Sequence, residues 1–463
     1  MNTHPAFPCQ RLAPLFTRRD ALKGVSCGFG YLAFAGIATR AAAADKPLAP
    51  KQPHFAAKAK RVIFLCMRGG PSHVDTFDYK PKLVADDGKP GSRPGSTWMA
   101  PRWKFAQHGK SGLWISELFP SLAAHADEMC LVRSMHTDLP AHPQAFLRLH
   151  TGSSQFVRPS LGAWTLYGLG TENENLPGFI TITPPSGFGG AQNYGSSFLP
   201  AIYQGTRIGA DNRPIAQAEV KNIKPPVTTA AQRLELDLVQ TLNREALRRD
   251  PNNTEIEGVI ESYELAFRMQ TQIPGLMDLT KESDATKKLY GLGTNATDDF
   301  GRKCLLARRY LEAGVRFVEI CHGNWDQHFG LTRALENNCT AIDKPIAGLF
   351  ADLKQRGLLK DTLIVWGGEF GRTPYAQGSD GRDHNNKGFT LWMAGGGVKG
   401  GTSHGSTDDH GAEAVQGKVH IHDWHATMLH LLGLDHEKLT YRYAGRDFRL
   451  TDVKGEVVKG VIA

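Results

Sequence analysis

The residues of this chain best suited to chemistry stand in four separated loops. The densest set lies in Thr362 to Asn386, TLIVWGGEFGRTPYAQGSDGRDHNN, where Glu369, Arg372, Asp383 and His384 follow an apolar run that stops at Gly367-Gly368. Hard oxygen donors, an imidazole and a guanidinium together suit a metal centre that also handles an oxyanion. Asp326 and His328 form a D-x-H pair, which an extended loop projects to one side as two metal donors. His73 and Asp75 follow an apolar run and a glycine turn in Arg68 to Asp78. His136 and His142 flank the start of an expected helix, Gln144 to His150, where a helix amino terminus attracts anions. Each set also has a plainer reading: a Glu after a strand accepts backbone N–H groups, and Thr137 or Asp138 caps a helix.

These loops need strands behind them. Arg61 to Met67, RVIFLCM, is a continuous apolar run, as expected of a central parallel strand covered on both faces. Met129 to Arg133, Phe179 to Thr183, Arg316 to Ile320, Thr362 to Trp366 and Thr390 to Ala394 read as further strands. Leu118 to His125, Cys304 to Glu312, Leu331 to Gln355 and Trp424 to Leu432 read as helices, the last capped by Asp423. Helices between strands, with polar loops at strand ends, predict a three-layer α/β fold with a mostly parallel sheet and helices on both faces. Gln232 to Arg249 and Ile256 to Met269 predict a helical excursion within residues 230–300. Ligands of such sheets gather outside the carboxyl ends of the strands, and there the four loops fall.

The chain has 463 residues, and its net charge of +8 invites a nucleic-acid partner. Half of that excess lies before residue 45, and no basic stripe with interleaved aromatics follows, so nucleic acid is set aside. Thr17-Arg18-Arg19-Asp20-Ala21-Leu22-Lys23 resembles a twin-arginine export motif, followed by a Gly- and Ala-rich apolar stretch too short for a stable span. The expected organisation is therefore a signal over residues 1–44, a linker over 45–60 and one α/β domain over 61–463, in a protein exported to the periplasm or beyond. Cys66, Cys130, Cys304, Cys321 and Cys339, odd in number and without CxxC spacing, read as buried free thiols.

With these motifs in place, the chain resembles the alkaline-phosphatase/sulfatase superfamily, and within it the twin-arginine-exported branch known as domain of unknown function fifteen-oh-one. The resemblance rests on MRGGPSHVDTFD (Met67 to Asp78), RSMHTD with AHP and TG (Arg133 to Gly152), and GVRFVEI with WDQH (Gly314 to His328). It also rests on GGEFGRTP (Gly367 to Pro374), GRDHN (Gly381 to Asn385) and HDWHATMLHLLGL (His422 to Leu434). It implies two divalent ions (zinc, calcium, magnesium or manganese) acting on a small-molecule or glycan ester of sulfate or phosphate. Asp326, His328 and His384 match the family's metal ligands, Glu369 stands where an Asp is usual, and His73 or Asp75 stands for the acidic residue after the first strand. Arg372 would stabilise charge on the transferred group, with Arg68, His136 and Asp383 contacting substrate. Two positions depart from the pattern: Phe370 replaces a histidine, and the nucleophile position falls on His142, with Ser134 and Thr137 as substitutes and a metal-activated water as another route. The resemblance thus implies an exported metal-dependent ester hydrolase; the alternative is an inactive scaffold that binds an anionic glycan or a partner protein.

Overall fold

Nine strands build the central sheet: β1 (Arg61–Met67), β2 (Met129–His136), β3 (Phe179–Ile182), β4 (Thr206–Ile208), β5 (Phe317–His322), β6 (Thr362–Gly367), β7 (Phe389–Ala394), β8 (Thr402–His404) and β9 (Val419–His420). Their order is β8-β2-β7-β6-β1-β5-β3-β4, with β9 beside β2. The computed structural model describes residues 47–463 except 219, 221, 222, 224–226, 251 and 252, and within it residues 48–463 form one unit. The expected export signal lies outside the described residues.

All pairings are parallel except those of β7, which runs against both β2 and β6. The carboxyl ends of eight strands therefore share one edge of the sheet, and the beginning of β7 lies at that same edge. β1 sits in the middle, in register with β5 (Met67 opposite His322) and β6 (Cys66 opposite Gly367). Its alternation sends Ile63, Leu65 and Met67 into one core and Val62, Phe64 and Cys66 into the other.

Helices α1 (His142–Thr151), α2 (Leu161–Leu169) and α7 (Ile421–Leu431) fill the second core, and α5 (Asp298–Glu312) and α6 (Leu331–Gln355) the first. Helices α3 (Thr229–Arg249) and α4 (Thr254–Met277) form the helical excursion. Three layers result. Residues 48–60 lie along this body, with backbone amides of Lys51, Lys58 and Ala59 donating to Leu169 and Leu431 carbonyls at 2.8–2.9 Å.

Two local expectations change. Leu118 to His125 is not an α-helix; a 3₁₀ segment covers Leu122–Glu128 instead. Helix α7 begins at Ile421, ahead of the expected start at Trp424, because His420 and not Asp423 is its cap. His420 accepts the His422 amide at 3.2 Å, and Asp423 reaches back to accept the His420 amide at 2.8 Å. Among the described residues no helix is long and apolar enough to cross a membrane.

Candidate metal centre

Four side chains meet over the carboxyl edge between β2, β5 and β6. Asp326 and His328 come from the extended loop after β5, and His142 is the first residue of α1, which follows β2. His384 precedes β7; it is set there by a two-residue bridge in which His384 pairs with Arg372. Ligand atoms of His142, Asp326, His328 and His384 all lie within 4.8 Å of one another. Asp326 Oδ1 is 3.1 Å from His142 Nε2, 3.0 Å from His328 Nε2 and 3.2 Å from His384 Nε2, and the last two nitrogens are 2.9 Å apart.

The protons of these imidazoles are placed by what stands behind them. Nδ1 of His384 faces the Pro140 carbonyl at 2.6 Å, Nδ1 of His328 faces Gln377 Oε1 at 2.7 Å, and Nδ1 of His142 faces Glu369 Oε1 at 2.6 Å. Each partner is an acceptor, so each Nδ1 carries the hydrogen and each neutral ring turns an Nε2 lone pair inward. His142 Nε2 is buried, and among the described residues its polar contact is with Asp326 Oδ1. Three nitrogen lone pairs and a carboxylate oxygen converging on one point repel unless a cation or protons fill the gap. The residues present fit a divalent cation of borderline character, with three imidazoles and one carboxylate as four donors.

The electrostatics agree. Burial disfavours the charged form of Asp326, yet the His142, His384 and Arg372 side chains outweigh it and hold the carboxyl far below its ordinary range. Burial pulls His142 down, but the Asp326 and Glu369 carboxylates more than offset it and raise its pKa to about 9. The two carboxylates thus favour positive charge beside them, which a proton on His142 or a bound cation supplies. It is also open on one side, since 43% of the Asp326 side chain is exposed while His142 is covered.

Several residues expected as ligands or catalysts support this centre from behind. Glu369 is fully buried and accepts the Gly69 amide at 3.0 and 3.2 Å, so its contact with the centre runs through His142. Arg372, expected to stabilise an oxyanion, is fully buried and spends its donors within the protein. It donates to Gly69 O, to Gly70 O (3.0 Å), Arg382 O (3.1 Å) and Trp325 O (3.2 Å), and to Asp326 Oδ1 at 2.6 Å. Thus it clamps three loops together and fixes Asp326. The clamp works because Gly69 has φ +118° and because a Cβ there would stand 2.5 Å from the Asp326 amide.

Asp75 lies elsewhere, in a buried pair with Arg382 (2.7 and 3.0 Å) and with Ser72 Oγ donating at 2.5 Å. His73, beside it, faces the Gly411 carbonyl at 2.8 Å, and neither belongs to the donor cluster. Ser134 donates to Gly417 O at 2.5 Å, while Thr137 is tied by its backbone to Asn386 and its hydroxyl is buried. Neither hydroxyl belongs to the donor cluster. His136 packs 5.1 Å from His420, also away from it. Asp383 is half-exposed at the mouth, 4.0 Å from His328 Nδ1, with Oδ1 accepting the His384 amide at 2.8 Å. Arg68 pairs with Asp211 at 3.3 Å and lines a cavity of about 190 Å³ with Lys303, His322 and Asn324.

Three further side chains contribute without a legible pattern in the sequence. Gln377 orients His328, and only its place in a polar loop pointed to it. Phe370, noted there only as a departure, stacks on His142 and His384 with ring centroids 4.7 and 4.6 Å away. Phe188 packs between His142 (5.2 Å) and the Arg68 guanidinium (5.3 Å), in a region without any catalytic pattern. Its φ of +51° is strained for an aromatic residue.

A second donor group, Cys66, His150 and Glu319, lies wholly buried under β1. His150 Nε2 is 2.7 Å from Glu319 Oε1 and 3.8 Å from Cys66 Sγ, and His150 Nδ1 faces the Phe146 carbonyl at 2.8 Å.

Residues 59–462 match the family described as "Protein of unknown function (DUF1501)". The chain belongs to the DUF1501 family. No protein of curated function has a matching sequence. Solved structures similar to this DUF1501 chain include the lipoteichoic acid synthase LtaP from Listeria monocytogenes, with TM-score 0.38 and 9% identity over 91% of this chain and 82% of that one. The PsFucS1 sulfatase from Pseudoalteromonas sp. has TM-score 0.38 and 13% identity, covering 88% of this chain and 72% of that one. An alkaline phosphatase from the Antarctic bacterium TAB5 has TM-score 0.28 and 10% identity, covering 75% of this chain and 93% of that one. At such identities the roles of residues must be argued from this chain's own geometry.

Proposed function

We propose that this chain is an exported, metal-dependent hydrolase of sulfate or phosphate esters. The observation that carries the reading is the convergence of three Nε2 lone pairs and Asp326 Oδ1 on one point at the edge of the sheet, each imidazole held by an acceptor on Nδ1. A divalent cation held there supplies Lewis acidity toward an ester oxygen and a water. Glu369 keeps His142 aimed, Arg372 holds Asp326, and Gln377 holds His328. Phe370 and Phe188 give His142 an apolar wall that excludes water on that side. Asp383, at the mouth, would take a proton from an incoming water through the oxygen not engaged by the His384 amide and return it to the departing alcohol oxygen as the ester bond breaks. With the Ser134 hydroxyl bonded to Gly417 and the Thr137 hydroxyl buried, water and not a side chain is the attacking group in this reading. Arg68, beside the cavity it shares with Lys303, meets the negative charge of the substrate. In this reading the four donors of the open cluster hold one ion.

Export follows, in this reading, from the motif Thr17 to Lys23, with a signal over residues 1–44, a linker over 45–60 and the catalytic domain over 61–463. The test is elemental analysis of the purified chain before and after reconstitution, then a panel of aryl sulfates and aryl phosphates. Absence of any bound divalent metal after reconstitution would sink the hydrolase reading. Metal without turnover of any ester would favour the inactive, ligand-binding scaffold.

A further inference from the structure

Away from the metal centre, past the carboxyl end of α1, a polar cavity of about 320 Å³ lies between residues 148–158 and the hairpin formed by Tyr441–Tyr443 and Arg446–Phe448. Arg148, Arg158, Arg446, Arg449 and Lys454 all line it. Three carboxylates answer these five cations. Asp138 is 2.8 Å from Arg148 and 4.0 Å from Lys454, Glu437 is 3.1 Å from Arg449, and Asp452 pairs with Arg446. Arg158 makes no ion pair among the described residues.

Arg158 is held at the cavity by aromatic rings, with its guanidinium left for an anion. Its guanidinium sits 4.2 Å from the centroid of Phe448, and the Arg446 guanidinium sits 4.8 Å from the same ring. Two cations thus share one aromatic ring. Burial lowers the Arg158 pKa and the charge of Arg446 lowers it further, against a smaller opposing pull from Asp452. Phe156 and Phe198, with centroids 5.4 and 5.9 Å from the Arg158 guanidinium, add to the aromatic surface that holds it. His422, on the floor, is held neutral: burial and the nearby His420 and Arg148 push its pKa down to about 3, and Arg148 donates to its Nε2 at 3.1 Å.

The rim offers flat apolar surface as well as charge. Phe156 is 61% exposed, and Tyr443 is 47% exposed and stacked on Phe198. Guanidiniums in fork geometry beside open aromatic faces match anionic substituents on sugar rings, the first by paired hydrogen bonds and the second by stacking. A concave pocket accepts a ring of that kind, whereas a flat bilayer surface would reach only its rim.

We propose that this cavity is a binding site for an anionic polysaccharide, separate from the metal centre, with Arg158 and Arg446 gripping one anionic substituent between them. It does not depend on turnover at the metal centre. It would hold a polymer on the protein whether or not an ester is cleaved.

The test is calorimetric titration of the full chain with dextran sulfate, with unsulfated dextran and with phosphatidylglycerol vesicles as separate arms. Dextran sulfate should bind, with affinity falling as salt rises, and dextran should not. Arg158→Ala and Arg446→Ala should each weaken binding about tenfold, the loss expected for one charge-assisted contact. Arg158→Ala should cause the same fold-loss in the Asp326→Ala background as in the unmutated chain, which separates this site from the metal centre. Arg248→Ala with Arg249→Ala, at the carboxyl end of α3, controls for net charge. An equal loss in that control, or unchanged affinity in the Arg158 and Arg446 variants, would overturn the proposal, as would binding of the vesicles but not of dextran sulfate. Should either variant misfold, hydrogen exchange on the unmutated chain decides: dextran sulfate must slow exchange in residues 151–158 and 446–454, and absence of protection there rejects the site.

Discussion

Helix α1 presents two histidines, His142 and His150, to two very different surroundings. His142, at its start, turns Nε2 toward Asp326 Oδ1, in company with two other imidazoles that do the same. His150, near its end, turns Nε2 toward Glu319 in the floor of the sheet, while Thr181 donates to the other Glu319 oxygen at 3.1 Å. Both nitrogens of His150 face oxygen acceptors, so one imidazolium satisfies them all, and the result is a closed ion pair. At the open centre the arithmetic differs. Three nitrogens and one oxygen crowd a single point, and protonating one ring leaves the others opposed. The same donor types therefore make a proton-filled pair in the core and a cation-ready cluster at the edge.

That contrast can be broken in several ways. The largest effect should come from His328→Ala, which removes one of four donors: bound divalent metal should fall to background in elemental analysis while circular dichroism stays native. If metal content is unchanged, the cluster is not the metal site. Next, Glu319→Ala leaves a buried imidazole without its carboxylate and should destabilise the fold by about 3–5 kcal/mol in urea unfolding, with metal at the open centre retained. A drop in metal content in this variant would instead show that the buried group binds an ion. Smaller again, Glu369→Gln should weaken metal affinity by about 10- to 100-fold, because it disturbs only the orientation and basicity of His142; competition with a chelator measures it.

The smallest expected effect is on pH. Burial alone would lower the His150 pKa, but the Glu319 charge and hydrogen bond overcome it and raise it above its ordinary value. A group whose folded pKa is raised gives its full stabilisation below the unfolded value, about 6.5, and loses it as pH rises through the folded value. Stability should therefore decline on the alkaline side of that window, and Glu319→Gln should flatten the decline. A stability that follows chelator concentration and ignores pH would mean that a metal, not a proton, joins His150 to Glu319.

The fold was largely legible in the chain. Continuous apolar runs such as RVIFLCM mark strands covered on both faces, and five further runs fell on observed strands, because burial on two sides leaves no polar positions. The reversal of β7 was not legible: a run buried on both faces reads the same in either direction. Helix α7 was recognised, but its start was misplaced because a histidine cap looks like strand alternation in Val419 to His422. Of the candidate site, Asp326, His328 and His384 stood out as ligands by type and loop position, whereas His142 was read at the nucleophile position and only the structure sets it among the donors. Glu369, Arg372 and Asp75 stood out equally, yet they face backbone amides, loop carbonyls and Arg382. Side-chain direction depends on partners far away in the chain, and Arg382, the partner of Asp75, drew notice only as part of GRDHN.

What the order of residues settled was the sheet, the edge at which chemistry gathers, and the supply of oxygen and imidazole donors there. What only the tertiary structure decided was which donors meet. Asp326, His328 and His384 converge with His142 because Arg372 ties the loops after β1 and β5 to its own and because Pro140, Gln377 and Glu369 each occupy an Nδ1. Those are contacts between distant segments, and no local pattern encodes the direction of a lone pair.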